Sequence, residues 1–302
     1  MILKQGIPFS YIFKKIYRDI VLVVAYIIFF YYVSHTWDLH FIEIPFAFPG
    51  VIGTAISIIL GFRINQAYTR WWEARKIWGA IVNDSRTLVR QLLTLPSADT
   101  QREDGLSLVK HMALRQAAWC VSLGQMLRKQ DSLANIQHML APADWKALQD
   151  KKHVPNSILV MHGRDAQRLF QQGMVTDIQQ ANLDATLARL TDSMGKSERI
   201  KNTVFPVLYS RLLHAFLYLF LFLLPLGLID YSPIITMPVI LASSIIFFLI
   251  ERTSERLQDP FEDEPNDTAV TSIARAIEIN IREMLEEKEL PEPIAPEPFY
   301  VL

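Results

Sequence analysis

Apolar and polar residues are unevenly shared along this chain. Residues 20–33 (IVLVVAYIIFFYYV) carry no charge, and the uncharged run extends to Trp37. Residues 44–62 carry none either, nor do residues 212–229, which are dense in Leu and Phe. A helix needs about 20 apolar residues to cross a hydrocarbon core roughly 30 Å thick. The pattern therefore predicts four membrane spans. The first centres on Ile20–Val33, the second ends at Phe62, the third covers 204–229 with Pro225 inside it, and the fourth covers Pro233–Ile250. Only Asp230–Ser232 separates the last two, too little for a domain, so they form a helical hairpin.

The stretch Pro45–Ala80 (PFAFPGVIGTAISIILGFRINQAYTRWWEARKIWGA) organises the rest. It is apolar and rich in small residues up to Phe62, then turns at Arg63 into a cationic, aromatic helix pattern holding Arg70, Trp71, Trp72 and Glu73. Those four residues are expected to hold the extension against its neighbours. Small residues let helices approach closely in lipid, where no hydrophobic force drives association. Thr54, Ile58 and Phe62 stand at i, i+4 and i+8, on one face covering about 12 Å. Copies of this helix around an axis would stack a hydroxyl ring and two apolar rings, a throat that gates by dewetting. From the spacing alone ordinary helix packing is the better explanation; the small residues favour the axis.

Residues 63–203 read as helical, with breaks at Leu95–Thr100, Ala141–Asp144, His153–Ser157 and Gly173–Asp177. No alternating strand pattern of useful length appears. After the fourth span, LQDPFEDEPND leads into a helix pattern at Thr268–Glu287, with Asp267 or Thr268 as its N-cap. The tail from Leu290 is rich in Pro and Glu and reads as extended or disordered. The organisation is thus 1–62 (N-terminal segment and two spans), 63–203 (cytoplasmic helices), 204–250 (two spans) and 251–302 (loop, helix and tail).

Charge sets the orientation. No Lys or Arg occurs from Asp19 through Phe62, a region preceded by Lys4, Lys14, Lys15 and Arg18, and none lies between Arg211 and Arg252. The positive-inside rule then puts both termini and residues 63–203 in the cytoplasm. The link at 34–44 holds Asp38 and Glu43 but no Lys or Arg. A multi-pass membrane location is expected.

Other chemistry is thin. A net charge of −1 over 302 residues leaves no nucleic-acid footprint. The lone Cys120 excludes an intramolecular disulfide, and its setting AAWCVSLGQML reads as a buried hydrophobe. No phosphate-binding, nucleophile-elbow or HExxH motif is present, and no nucleophile–base pair assembles, so an enzyme is not expected. His35 and His40 have no cysteine near them and are not expected to bind metal. Arg211 and His214 are costly inside a span and must face a cavity, a partner or the interface, with Arg211 able to snorkel. Asp259, Glu262, Asp263, Glu264 and Asp267 form a candidate cation-binding loop, since calcium takes six to eight oxygen ligands. The loop lacks the EF-hand glycine and terminal glutamate, and an unliganded acidic turn before a helix N-terminus is the better reading of it.

Three separated motifs resemble the bestrophin family, above all its bacterial members: GFRINQAYTRWWEARKIWGAIVNDSRTLVR (Gly61–Arg90), SERIKNTVFP (Ser197–Pro206) and LQDPFEDEPNDTAVTSIARAIE (Leu257–Glu278). They occur in order across nearly the whole chain. The resemblance implies an all-α homopentameric ion channel with one pore on the fivefold axis, embedded in membrane lipids. It assigns Thr54, Ile58 and Phe62 to a hydrophobic neck and Ile178 to a cytoplasmic exit constriction. The animal members hold calcium in the loop after the fourth span. Here Asp267 matches, Glu264 replaces an aspartate, Pro265 and Asn266 interrupt the acidic run, and Glu262 stands where the family has glycine. Calcium dependence is therefore not expected, and no other cofactor is. Ile58 replaces a phenylalanine of the animal anion channels, and bacterial relatives with isoleucine there conduct cations. The reading is a channel for small monovalent ions that leans to sodium over chloride. The rivals are a chloride-selective channel of the same fold, a secondary transporter, which would need an internal repeat, and a membrane-anchored scaffold.

Overall fold

Every regular element among the described residues is a helix. The computed structural model describes residues 9–37, 44–96, 103–203, 205–296 and 300. Lys4, Asp38, His40, Glu43, residues 97–100 and position 204 lie outside them. The α-helices are α1 (Phe9–Thr36), α2 (Ala47–Thr94), α3 (Glu103–Leu127), α4 (Pro142–Leu148), α5 (Val154–Gln171), α6 (Asp177–Asn202), α7 (Val207–Leu223), α8 (Pro233–Leu257) and α9 (Val270–Met284). The chain divides into two compact units, one of residues 5–71 and 204–259, the other of 1–4, 72–203 and 260–302.

The first unit gathers α1, the N-terminal half of α2, α7 and α8. Its hydrophobic core joins Ile16 and Val23 from α1, Ile56 and Leu60 from α2, Leu217 and Phe220 from α7, and Phe248 from α8. Among the described residues, four helices are long and apolar enough to cross a membrane. They stay apolar on their outer faces too: Val21, Leu22 and Phe29 of α1, Leu208 of α7 and Ile234 of α8 are all exposed. A helix apolar all round needs lipid or further protein around it. The small residues of α2 do their expected work at Gly53, where a Cβ would come within 2.9 Å of Phe220 Cε2. No larger residue fits between α2 and α7 at that level without a shift.

Two helix ends add to the span reading. In the third apolar segment α7 stops at Leu223 and a short 3-10 turn follows at Leu226–Leu228. Pro225 causes the break, since it lacks an N–H and its ring clashes with the carbonyl four residues earlier. α8 runs past Ile250 and carries its charged end, Glu251 to Arg256, on to Leu257 as continuous helix. Its start is conventional, with Pro233 in the first turn.

The second unit packs α3 against α5 and α9, and α5 against α6. Trp78, Ile81 and Leu88 of α2 share one core with Met112 and Trp119 of α3, Ile158 of α5, Leu190 of α6 and Ile277 of α9. The helix starts have local causes. His153 accepts from Asn156 N–H and Pro155 sits in the first turn, so the HVPNS break is the beginning of α5. Thr176 and Gln179 form a capping box at α6, the Thr hydroxyl accepting from Gln179 N–H and the Gln amide oxygen from Thr176 N–H. The last helix departs from expectation: its N-cap is Ala269, with no side-chain cap, rather than Asp267 or Thr268. Asp267 is occupied elsewhere, because its Oδ2 accepts from the N–H groups of Glu262 (2.5 Å) and Glu264 (3.1 Å). Inside the unit the Arg115 guanidinium clamps α3 to α4 and α5, lying 2.7 Å from both Asp144 and Asp165.

Candidate functional site: one face of α2

Along the first half of α2, burial follows a strict stripe. Ile56, Leu60, Arg63 and Ala67 are all at most 1% exposed, at spacings of four and three. The opposite stripe holds Thr54, Ile58 and Phe62, and all three are exposed, Ile58 by 56% and Phe62 by 65%. Two large apolar side chains thus point away from the core on one line of the helix, with Thr54 one turn further on. The Thr54 hydroxyl donates to the Gly50 carbonyl at 2.9 Å. Its proton is spent on the helix, so the oxygen can offer only lone pairs to anything approaching that face.

Arg63 follows Phe62 directly and turns the other way, into a polar belt that ties all four helices of this unit. Its Nη2 donates to Ser210 Oγ at 3.1 Å and its Nη1 lies 3.9 Å from Glu251 Oε1. The same carboxylate meets His214 Nδ1 at 2.9 and 3.0 Å. Beside it, Asp19 of α1 accepts from Tyr218 O–H at 3.0 Å and from Arg252 Nη2 at 3.2 Å. His214 therefore faces a charged partner, one of the options expected of it. Buried charges are costly unless paired, and these pairs fix the rotation of α2 about its axis. The sequence does not reveal this belt directly. Its one signal is that Arg63 and Glu251 are each the first charge after an uncharged run.

The second unit carries the other residues in question. Ile178 sits in the first turn of α6, two residues after the Thr176 cap, and is 70% exposed. The capping box makes that turn rigid, so the side chain is presented from a fixed backbone. Of the residues read as bracing the extension, Glu73 pairs with Arg199 at 2.7 Å, and Arg70, in the first unit, donates to the Gln258 carbonyl at 2.9 Å.

The acidic loop is brought together around its own backbone. Asp267 holds the turn as described, the Thr268 N–H donates to the Pro260 carbonyl at 3.0 Å, and Asp263, at φ 69°, pairs with Arg128 at 2.7 Å. Among the described residues no group of three or more His, Cys, Asp or Glu is placed to hold a metal ion. Burial opposes the Arg128 charge, and Asp263 and Asp267 partly restore it. Cys120 is fully buried beside Ser85, and burial pushes its thiol up to about 12. His162 is equally buried, and desolvation together with the nearby Arg115 charge holds its ring well below the usual histidine range.

Comparison with known proteins adds the following. The family described as Bacterial/Fungal Bestrophin protein matches residues 6–283. The voltage-dependent anion channel-forming protein YneE of Escherichia coli strain K12 is 33% identical over 268 residues, which are 88% of this chain and 86% of that protein. The voltage-dependent anion channel-forming protein mll4386 of Mesorhizobium japonicum is 34% identical over 252 residues, 83% of this chain and 78% of the other. Among solved structures, a bacterial bestrophin homologue from Klebsiella pneumoniae superposes with a TM-score of 0.80 at 27% identity, covering 92% of this chain and 100% of that one.

Proposed function

Because this chain belongs to the bacterial and fungal bestrophin family, we propose that it is an ion channel of a bacterial inner membrane. Five copies surround one axis, each contributes four spans, and both termini lie in the cytoplasm. The first half of α2 faces the axis, so Thr54, Ile58 and Phe62 form the neck, and Ile178 narrows the cytoplasmic exit. The observation that carries this reading is the exposed line of Ile58 and Phe62 opposite the buried stripe of Ile56, Leu60 and Arg63. Large apolar residues held outward on a helix whose other side is locked need either lipid or an axis. The polar Thr54 on the same line and the small residues around it favour the axis.

Conduction follows from the neck's chemistry. An apolar ring offers an ion no ligands, so passage requires the throat to be wetted, and its width and wetting set the open probability. Apolar rings discriminate little by charge. Selectivity then falls to the polar groups at the ends, and Thr54, with its proton already donated to Gly50, offers acceptors to a hydrated cation. That supports small monovalent cations, sodium among them. A second reading, anion conduction, is favoured by the names of the curated relatives, which are called anion channel-forming proteins.

The deciding experiment records current from purified protein in liposomes under a sodium chloride gradient. A reversal potential near the sodium equilibrium value supports the cation reading, and one near the chloride value selects the second. No current from protein verified as pentameric overturns the channel and leaves a membrane-anchored scaffold.

A further inference from the structure

Phe62 does not end the exposed line of α2. At 3.6 residues per turn, Asn65 and Thr69 fall within about 20° of the direction of Ile58, and they rise about 4.5 and 10.5 Å beyond Phe62 along the axis. Both are exposed. The line thus changes from two large apolar side chains to an amide and then a hydroxyl, beginning within one turn. The change coincides with Arg63, which is 1% exposed, turned to the opposite face and set against Glu251. Its charge is balanced inside the bundle, away from the face that Asn65 occupies.

What these two residues offer is mainly oxygen. The Thr69 hydroxyl donates to the Asn65 backbone carbonyl at 2.9 Å, so only its lone pairs remain for anything on that face. The Asn65 side-chain amide makes no hydrogen bond among the described residues and presents one carbonyl oxygen and one NH2 group. An unpartnered amide is costly against hydrocarbon, so this end of the line calls for water, an ion or another polar group. Amide oxygens are ordinary ligands of hard cations. An anion would find a single NH2 group there, beside the lone pairs of two oxygens.

We propose that Asn65 and Thr69 form a binding site for a permeant monovalent cation just past the apolar neck. The inference rests on the reading that this face of α2 looks onto an ion path. An ion leaving the apolar rings meets no protein ligand until Asn65, whose amide oxygen replaces part of its hydration shell. The Thr69 hydroxyl oxygen takes the ion up one turn further on. Asn65 thus sets how tightly a cation is held beyond the neck and how far cations are preferred to anions. The neck cannot supply that preference, because apolar rings discriminate little by charge.

The test records single-channel current from the full-length protein in planar bilayers, for wild type, Asn65→Ala and Asn65→Asp, with thermal unfolding in detergent to confirm that each folds. Sodium is varied at fixed chloride, with N-methyl-D-glucamine replacing it, and chloride at fixed sodium, with gluconate replacing it. A binding site makes the current saturate with sodium. Asn65→Ala should raise the half-saturating sodium concentration at least about threefold, and Asn65→Asp should lower it and raise the sodium-to-chloride permeability ratio by a similar factor. Ile58→Cys with a cationic methanethiosulfonate reagent, run in the same bilayers, reads the ion path separately. If the reagent blocks Ile58→Cys while both Asn65 variants keep the wild-type half-saturation and permeability ratio, the site is overturned and the ion path stands. A change confined to the chloride dependence overturns it too, since the amide then serves an anion through its NH2 group. No current from folded wild-type protein removes the ion path and the site together.

Discussion

Arg63 Nη1 and Glu251 Oε1 lie 3.9 Å apart, and the two side chains are 1% and 5% exposed. The charge next to the proposed neck residue Phe62 is therefore balanced inside the helix bundle. Removing one member strands the other, at a cost of about 3–5 kcal/mol for a buried pair. Glu251→Ala should accordingly lower the detergent melting temperature sharply, while the double variant Arg63→Met, Glu251→Leu should recover most of the loss. Calorimetry or tryptophan fluorescence reads this. A single variant that melts like wild type, or a double variant no better than the single ones, contradicts the account.

His162 makes stability fall in mild acid. Its ring is fully buried, and neither nitrogen has a hydrogen-bond partner among the described residues. The folded-state value is depressed, so the unfolded chain binds the proton first, and stability is complete above about pH 6.5. Below it, each pH unit costs up to about 1.4 kcal/mol until the folded ring also protonates. His162→Leu should flatten this acid limb in denaturant titrations between pH 7 and 5. An unchanged slope would refute the assignment.

Cys120 should be inert in the native protein. With its thiol pushed up to about 12, only about one molecule in ten thousand is thiolate at pH 8, and none of it is accessible. Maleimide labelling followed by mass spectrometry should show modification only after unfolding. Rapid labelling of folded protein would contradict the packing of α3.

The four apolar segments were legible because lipid leaves so few alternatives. A spanning segment must satisfy its own backbone, and composition alone betrays it. The exposed face of Thr54, Ile58 and Phe62 followed from helical periodicity. Boundaries were less legible where one residue decides them. Pro225 ends α7 inside the third apolar segment, and α8 runs on as helix through its charged end. Asp267 had the right type and place for an N-cap, yet its carboxylate is taken by the loop backbone, a choice that depends on the turn's geometry. The Arg63–Glu251–His214 belt lies beyond any local pattern, since its members come from helices far apart in the chain.

The central claim is that Ile58 lines an ion path, and the chain's own chemistry makes it testable. Cys120 is the single native cysteine and is buried, so Ile58→Cys introduces the sole accessible thiol. Ile58 is exposed, so the substitution should move stability by no more than about 0.5 kcal/mol. In planar bilayers, a cationic methanethiosulfonate reagent should then abolish most of the current of Ile58→Cys and leave wild type untouched. Undiminished current after complete labelling of position 58, or the absence of current from folded wild-type protein, would contradict it.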